Sequence, residues 1–166
     1  MISSRRELFD EAIRHLTESF GPVDLVSEIM DFDLTDYYNE QMGTPLYRQF
    51  VSFSGAVEPD ALVEAKHTTN RIETRLAERA GAPPRPINLD PGYLAASKLV
   101  LASMKDFSHR IYLGRGVYGD LTLIYRKGGW RKLAWTFPDY ASGRYDSFLT
   151  EARSRIVGTG KEKNTK

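Results

Sequence analysis

Lys98-Leu-Val-Leu-Ala-Ser103, His109-Arg-Ile-Tyr-Leu113, Val117-Tyr-Gly-Asp-Leu-Thr-Leu-Ile-Tyr-Arg126 and Trp130-Arg-Lys-Leu-Ala-Trp-Thr136 are short runs rich in β-forming residues, parted by Gly114-Arg-Gly116 and Gly128-Gly129. Brief strands joined by glycine turns predict an antiparallel meander. Side chains alternate across a strand. Tyr118, Asp120 and Thr122 therefore share one face, a candidate polar surface, while Leu121, Leu123 and Tyr125 share the other, a candidate core face. By the same rule His109, Ile111 and Leu113 lie opposite Arg110 and Tyr112, so at most one of His109 and Arg110 is expected to face a common site.

Upstream of the meander the pattern is helical. Ser4-Arg-Arg-Glu7 has the spacing of a capping box, and Leu8, Phe9, Ala12, Ile13, Leu16 and Phe20 recur on one helical face until Gly21-Pro22, predicting a helix over residues 5–20. Val23–Phe32 and Tyr47–Phe53 predict two strands around the polar-aromatic loop Asp33–Gly43. Pro59 suits a first helical turn, and Leu62, Val63, Ile72, Leu76 and Ala80 carry a second helix that Gly81 can end. Ala82-Pro-Pro-Arg-Pro86 is a stiff connector, too short for a domain boundary. Past the meander, Tyr145, Phe148, Leu149, Ala152 and Ile156 predict a last helix.

The expected fold class is α+β: a mixed, mainly antiparallel sheet with about three helices, a ferredoxin-like split β-α-β start and then a β-meander. The first strand of that start is expected to be missing, because the chain begins almost at its first helix. One α+β domain is expected over residues 1–158, with a flexible C-terminal tail over 159–166.

At 166 residues with 41% hydrophobic side chains, the chain can build a sizeable core. Its 23 Lys and Arg against 22 Asp and Glu leave a charge of +1, without the basic excess of a duplex-DNA binder. The absence of cysteine removes disulfides, thiolate zinc sites, iron–sulfur clusters and thiol nucleophiles, and fits a cytoplasmic location. Met1-Ile-Ser-Ser-Arg-Arg-Glu7 has no apolar signal core, and Leu99-Val-Leu-Ala102 is too short to span a bilayer, so no membrane partner is expected.

Polar and aromatic residues gather between Asn88 and Tyr140. Asp90-Pro-Gly92 predicts a tight turn with exposed backbone N–H groups, which makes Asn88, Asp90, Gly92 and Tyr93 candidate ligand contacts. Lys98, Lys105 and Arg110 can converge on an anion, Arg110 with a planar fork for phosphate or carboxylate. Solvated strand cations would give the same pattern. Tyr118, Trp135 and Thr136 add stacking and hydrogen-bonding groups, although aromatics in a small α+β domain also fill the core. His109 is the candidate acid–base residue, with Asp106 or Asp139 to orient it. The plainer account is a histidine that opens a strand and bonds a neighbour.

Asp33, Asp36 and Glu40 are ligands of the type that holds a hard cation, with Mg²⁺ the candidate ion. Asp36 and Glu40, at i and i+4, suit a solvated helix equally, and no EF-hand spacing follows. His15 and His67 sit among polar neighbours and are expected to be exposed.

Asn88-Leu-Asp-Pro-Gly-Tyr93, Lys105-Asp-Phe-Ser-His-Arg-Ile-Tyr-Leu-Gly114 and Trp135-Thr-Phe-Pro-Asp-Tyr140 resemble the signature blocks of the domain-of-unknown-function 4416 family of prokaryotes. Phe32-Asp-Leu-Thr-Asp-Tyr-Tyr38 and Arg48-Gln-Phe-Val-Ser-Phe53 are similar to it too, so the resemblance spans nearly the whole chain. It implies no established activity, since many members carry only an inherited label of GTP-binding protein. It also implies a short apolar strand before the first helix; with none legible here, a truncated or misassigned start is expected. A P-loop needs G-x-x-x-x-G-K-[ST], whose backbone amides cradle phosphate. Gly158-Thr-Gly-Lys161 lacks the upstream glycine, and no N-K-x-D guanine-reading motif occurs. Binding of GTP would therefore need another arrangement.

Two classes of function fit these residues. The leading expectation is a site for a small phosphorylated ligand or nucleotide, carried by the Asp-Pro-Gly segment and the polar residues after it. The alternative is an RNA- or protein-binding module with no catalytic activity, carried by aromatic-rich strands and the lack of a complete catalytic motif.

Overall fold

The computed structural model describes residues 1–81 and 83–162, with side chains through residue 157. The chain forms two compact units, Met1–Val57 with Glu64–Pro91, and Glu58–Val63 with the residues from Gly92 on. It is a mixed α+β fold with antiparallel sheets and several helices.

The first unit contains β1 (Ile2–Ser3), α1 (Glu7–Phe20), β2 (Val23–Val26), β3 (Met30–Asp31), α2 (Asn39–Met42), β4 (Tyr47–Arg48), β5 (Val51–Phe53), most of α3 (Ala61–Ala80) and β6 (Ile87–Asn88). The sheet order is β3-β4-β1-β6, and β2 pairs with β5. The first strand, expected to be missing, is present: Ile2 pairs with both Arg48 and Asn88, and Ser3 with Tyr47 and Ile87. A two-residue strand shows no periodicity, so only its long-range partners reveal it.

The apolar face of α1 forms as expected. Leu8, Phe9, Ala12 and Leu16 are buried with Ile72 and Leu76 of α3 and with Ile87 and Leu89. Each fully buried side chain of this size contributes about 1.5–3 kcal/mol. The expected capping box does not form. Ser4 Oγ instead donates to the Met42 carbonyl at 2.7 Å, and Glu7 accepts from Arg5 Nε at 2.9 Å. A second cluster of Ile2, Phe32, Met42 and Leu46 covers the other side of β1, and it places α2 inside the stretch expected to be loop.

The second unit contains the first residues of α3, then β7 (Gly92–Ala95), β8 (Lys98–Ser103), β9 (Arg110–Gly114), β10 (Val117–Arg126), β11 (Gly129–Lys132), α4 (Pro138–Ala141) and α5 (Asp146–Glu162). Its sheet runs β11-β10-β8-β7, with β9 also paired to β10. The strand runs and their glycine turns form, but the expected meander does not: β8 pairs with β10 instead of its chain neighbour β9, and β7 was not foreseen. Asp90-Pro-Gly92 is not a tight turn but leads into a strand, with Gly92 paired to Leu101. A Cβ on Gly92 would lie 2.7 Å from Leu101 Cδ2 and 2.8 Å from the Val100 carbonyl, so close strand approach demands glycine here.

A bulge in β10 between Leu121 and Leu123 breaks the expected alternation. Asp120, Thr122 and Leu123 are all buried, so the polar face proposed for β10 is not a solvent surface. Leu62, Val100, Ala102 and Val117 form one core cluster. Tyr140, Tyr145, Leu149 and Ala152 bury the inner side of α4 and α5, and Arg153 Nε ties α5 to the Ala96 carbonyl at 2.6 Å. The tail expected over 159–166 starts within the span of α5; residues 163–166, and Ala82 of the connector, lie outside the described residues. Among the described residues no helix is long and apolar enough to cross a membrane.

Candidate functional site

Charge in the first unit concentrates where α3 meets β6. Lys66, Thr69 and Glu73 are spaced to share one side of α3. Lys66 Nζ donates to the Leu89 carbonyl at 3.3 Å and to Asp90 Oδ1 at 3.1 Å. Glu73 Oε1 accepts from the Leu89 amide at 2.6 Å, and Glu73 Oε2 lies 3.5 Å from Arg85. Arg85 also donates to Asn88 Oδ1, and Asn88 Nδ2 donates to Asp90 Oδ2 at 2.6 Å. Both backbone groups of Leu89, just past the edge strand β6, are thus satisfied by helix side chains, which closes that edge to other strands.

These contacts set the local ionisation. Burial works to raise the Asp90 carboxyl, but the Lys66 ammonium and the Asn88 and Lys66 hydrogen bonds outweigh it and hold Asp90 below its ordinary value. Burial pushes Glu73 up, against the Leu89 N–H and the nearby Lys66 and Arg85. Burial, with Asp90 adding repulsion, raises the Tyr38 phenol to about 12. Asn88 and Asp90 are therefore parts of a closed network whose donors already meet acceptors.

The second unit holds a more open arrangement. Asp120 is 2% exposed and pairs in register with Arg110 across β9 and β10. Its Oδ2 accepts from Arg110 Nε at 2.9 Å and lies 3.3 Å from His109 Nε2. Arg110 Nη1 also donates to Ser103 Oγ at 2.9 Å and to the Lys105 carbonyl at 3.0 Å. The expected separation of His109 and Arg110 is thus corrected: both reach one carboxylate. His109 lies just before β9, where strand alternation does not govern its side chain.

The His109 ring stacks on Trp135 at 5.2 Å with 12° between planes, and it lies 5.1 Å from Phe107. Trp135 Nε1 donates to the Leu121 carbonyl at 2.9 Å, and Thr136 Oγ1 to the Thr122 carbonyl at 2.7 Å, so both anchor their loop to β10. The carboxylate that meets His109 is Asp120. Asp106 is exposed ahead of the turn that leads into β9, and Asp139 is buried, accepting from Tyr145 Oη at 3.3 Å. A histidine whose Nε2 faces a carboxylate keeps Nδ1 as a group that can take or give a proton. Asp120 belonged to the polar face expected of β10, but its partnership with His109 emerges only from strand register.

The remaining candidates are dispersed. Lys98 Nζ lies 6.0 Å from the Tyr93 ring centre, at the β7–β8 pair. Tyr118 meets Tyr112 edge-on at 5.3 Å. Lys105 is exposed, its amide bonded to Ser103 Oγ at 3.0 Å. Asp36 accepts from the Asn39 side chain, from Nδ2, at 2.8 Å, and Asp33, Asp36 and Glu40 are all exposed. Among the described residues no group of three or more His, Asp or Glu side chains is placed to hold a metal ion. His15 and His67, expected to be exposed, are half-buried; His15 Nδ1 lies 3.4 Å from Glu18.

Fold and site define an α+β protein built on antiparallel sheets, with a histidine and an arginine gathered on one buried aspartate. Residues 1–155 match the family described as Domain of unknown function (DUF4416), and the chain belongs to that family. No curated protein and no solved structure matches the chain.

Proposed function

We propose that this protein binds a small phosphorylated ligand or nucleotide at the His109–Arg110–Trp135 surface of its second unit. The observation that carries this reading is the aromatic arrangement around His109. Phe107 and Trp135 flank the ring while remaining 61% and 39% exposed, and Phe137 nearby in sequence is 42% exposed. Exposed rings beside a fixed guanidinium suit a base and its phosphate. The Asp120–His109 pair gives the same surface a proton-transfer group, so turnover of the bound ligand belongs to this proposal. Mg²⁺ would arrive with the nucleotide. A cytoplasmic location goes with the cysteine-free composition.

A second proposal concerns the fold of the first unit, which we infer to be the β-α-β-β-α-β arrangement. The order β3-β4-β1-β6 with antiparallel pairing throughout supports it, as does the placement of α1 and α3 in the chain.

Thermal melts with a panel of purine and pyrimidine nucleotides, with and without Mg²⁺, test the ligand reading. At least one nucleotide is expected to raise Tm, and Phe107→Ala and Trp135→Ala to reduce that rise. Absence of any shift across the panel defeats it. A response to single-stranded RNA alone would favour the RNA-binding alternative, which would use the same exposed rings.

A further inference from the structure

A cleft of about 240 Å³ opens in the second unit between β11 and the corner joining α4 to α5. Its apolar lining is Leu123, Trp130 and Tyr140, all buried. Arg131, Lys132 and Asp146 line it too. Among the described residues none of these three charged side chains has an ion pair or a side-chain hydrogen bond. Arg131 and Lys132 are on β11, and Asp146 opens α5 after Gly143, whose φ of +77° turns the chain.

We propose that this cleft is a second ligand site and takes an α-amino acid, its carboxylate on Lys132 and its ammonium on Asp146. Lys132 shares the strand face of Trp130 and the register of Leu123, and offers a point charge for the carboxylate, while Arg131 alternates to the other face. Asp146 supplies the acceptor for an ammonium. Burial alone raises its carboxyl above the ordinary value, with no cation counteracting it, which is the condition an incoming ammonium would relieve. The Tyr140 and Trp130 rings leave an apolar floor for an aliphatic side chain. The site is distinct from the nucleotide surface, since it shares no residue with the His109 cluster.

The test is a ¹H–¹⁵N NMR titration of the whole chain with the common free amino acids, using acetate and ethylammonium as single-charge controls. At least one amino acid is expected to shift the Arg131, Gly143 and Asp146 amides saturably. Asp146→Asn and Lys132→Ala should each weaken that binding about tenfold, the effect of losing one charged hydrogen bond. Lys132 is exposed, so its variant keeps a dispersed spectrum and a readable result even if Asp146→Asn unfolds. No saturable shift with any amino acid overturns the proposal. So does acetate binding as tightly as every amino acid, with Lys132→Ala weakened and Asp146→Asn unchanged, which would mark an anion site only. Nucleotide melts are unaffected by either result, so the two sites fail separately.

Discussion

His109 Nε2 lies 3.3 Å from Asp120 Oδ2, although eleven positions separate the two residues in the chain. Asp120 sits opposite Arg110 in the β9–β10 ladder, so the residue immediately before β9 is carried to the same carboxylate. The carboxylate is buried, and the arginine and histidine side chains are only 11% and 13% exposed. Breaking such a group leaves the remaining charge desolvated and without its partner.

Asp120→Ala is therefore expected to lower stability by about 3 kcal/mol, the low end for removing one member of a buried pair. Asp120→Asn should cost less, because it keeps an acceptor for Arg110. Urea unfolding followed by circular dichroism reads both. A loss for Asp120→Ala no larger than that of an exposed-site control would show that Arg110 and His109 do not depend on this carboxylate.

Asp90 makes stability sensitive to acid. Its folded-state pKa is held below 3.8, so the stability it contributes is complete above that value and is lost as the pH falls through the depressed folded value. Lys66→Met removes the largest of the charges that lower it and leaves burial to act in the opposite direction. The acid-unfolding midpoint should move to higher pH in that variant, and an unchanged midpoint would contradict the assignment.

Glu73 acts with the opposite sign. Burial raises its folded-state pKa above 4.5, so the folded state holds the proton more tightly and stability declines as the pH rises from 4.5 through the folded value. Glu73→Gln keeps an oxygen to accept the Leu89 amide and removes the titration. Denaturant midpoints between pH 4 and 7 should show a flatter slope for the variant in the window just above 4.5.

Gly92→Ala should destabilise the second unit by about 1–3 kcal/mol, the usual range for forcing an extra methyl into a packed site. The new Cβ would meet both the Leu101 side chain and the Val100 carbonyl below 3.0 Å, and the backbone oxygen cannot rotate away. A wild-type Tm would show that β7 and β8 can part without cost.

Several elements were legible because their signal is local. The face of α1 from Leu8 to Leu16, the stops at Gly21 and Gly81, and the runs that became β8 and β10 all follow from periodicity or from glycine in the left-handed region. The site was legible in part. His109, Arg110 and Trp135 were candidates from residue type, and they do come together. The metal-ligand group Asp33, Asp36 and Glu40 was not realised as a cluster, since Asp36 bonds Asn39 instead. Ser4, whose spacing suggested a helix cap, bonds the Met42 carbonyl. For Ser4 a partner 38 positions away outcompeted the local one, whereas Asp36 took a partner three positions away.

The sequence by itself determined the α+β character, the positions of the long helices and of the strand runs after Lys98, and the chemical types available between Asn88 and Tyr140. These depend on neighbours three or four residues away, or on alternation within a strand. Tertiary structure alone decided that Ile2–Ser3 becomes a strand between β4 and β6, that Asp120 and Thr122 are buried, and that His109 finds Asp120. Each of those outcomes is set by strand register. A one-residue shift in pairing reverses which face a side chain occupies, and no short window of sequence carries that information.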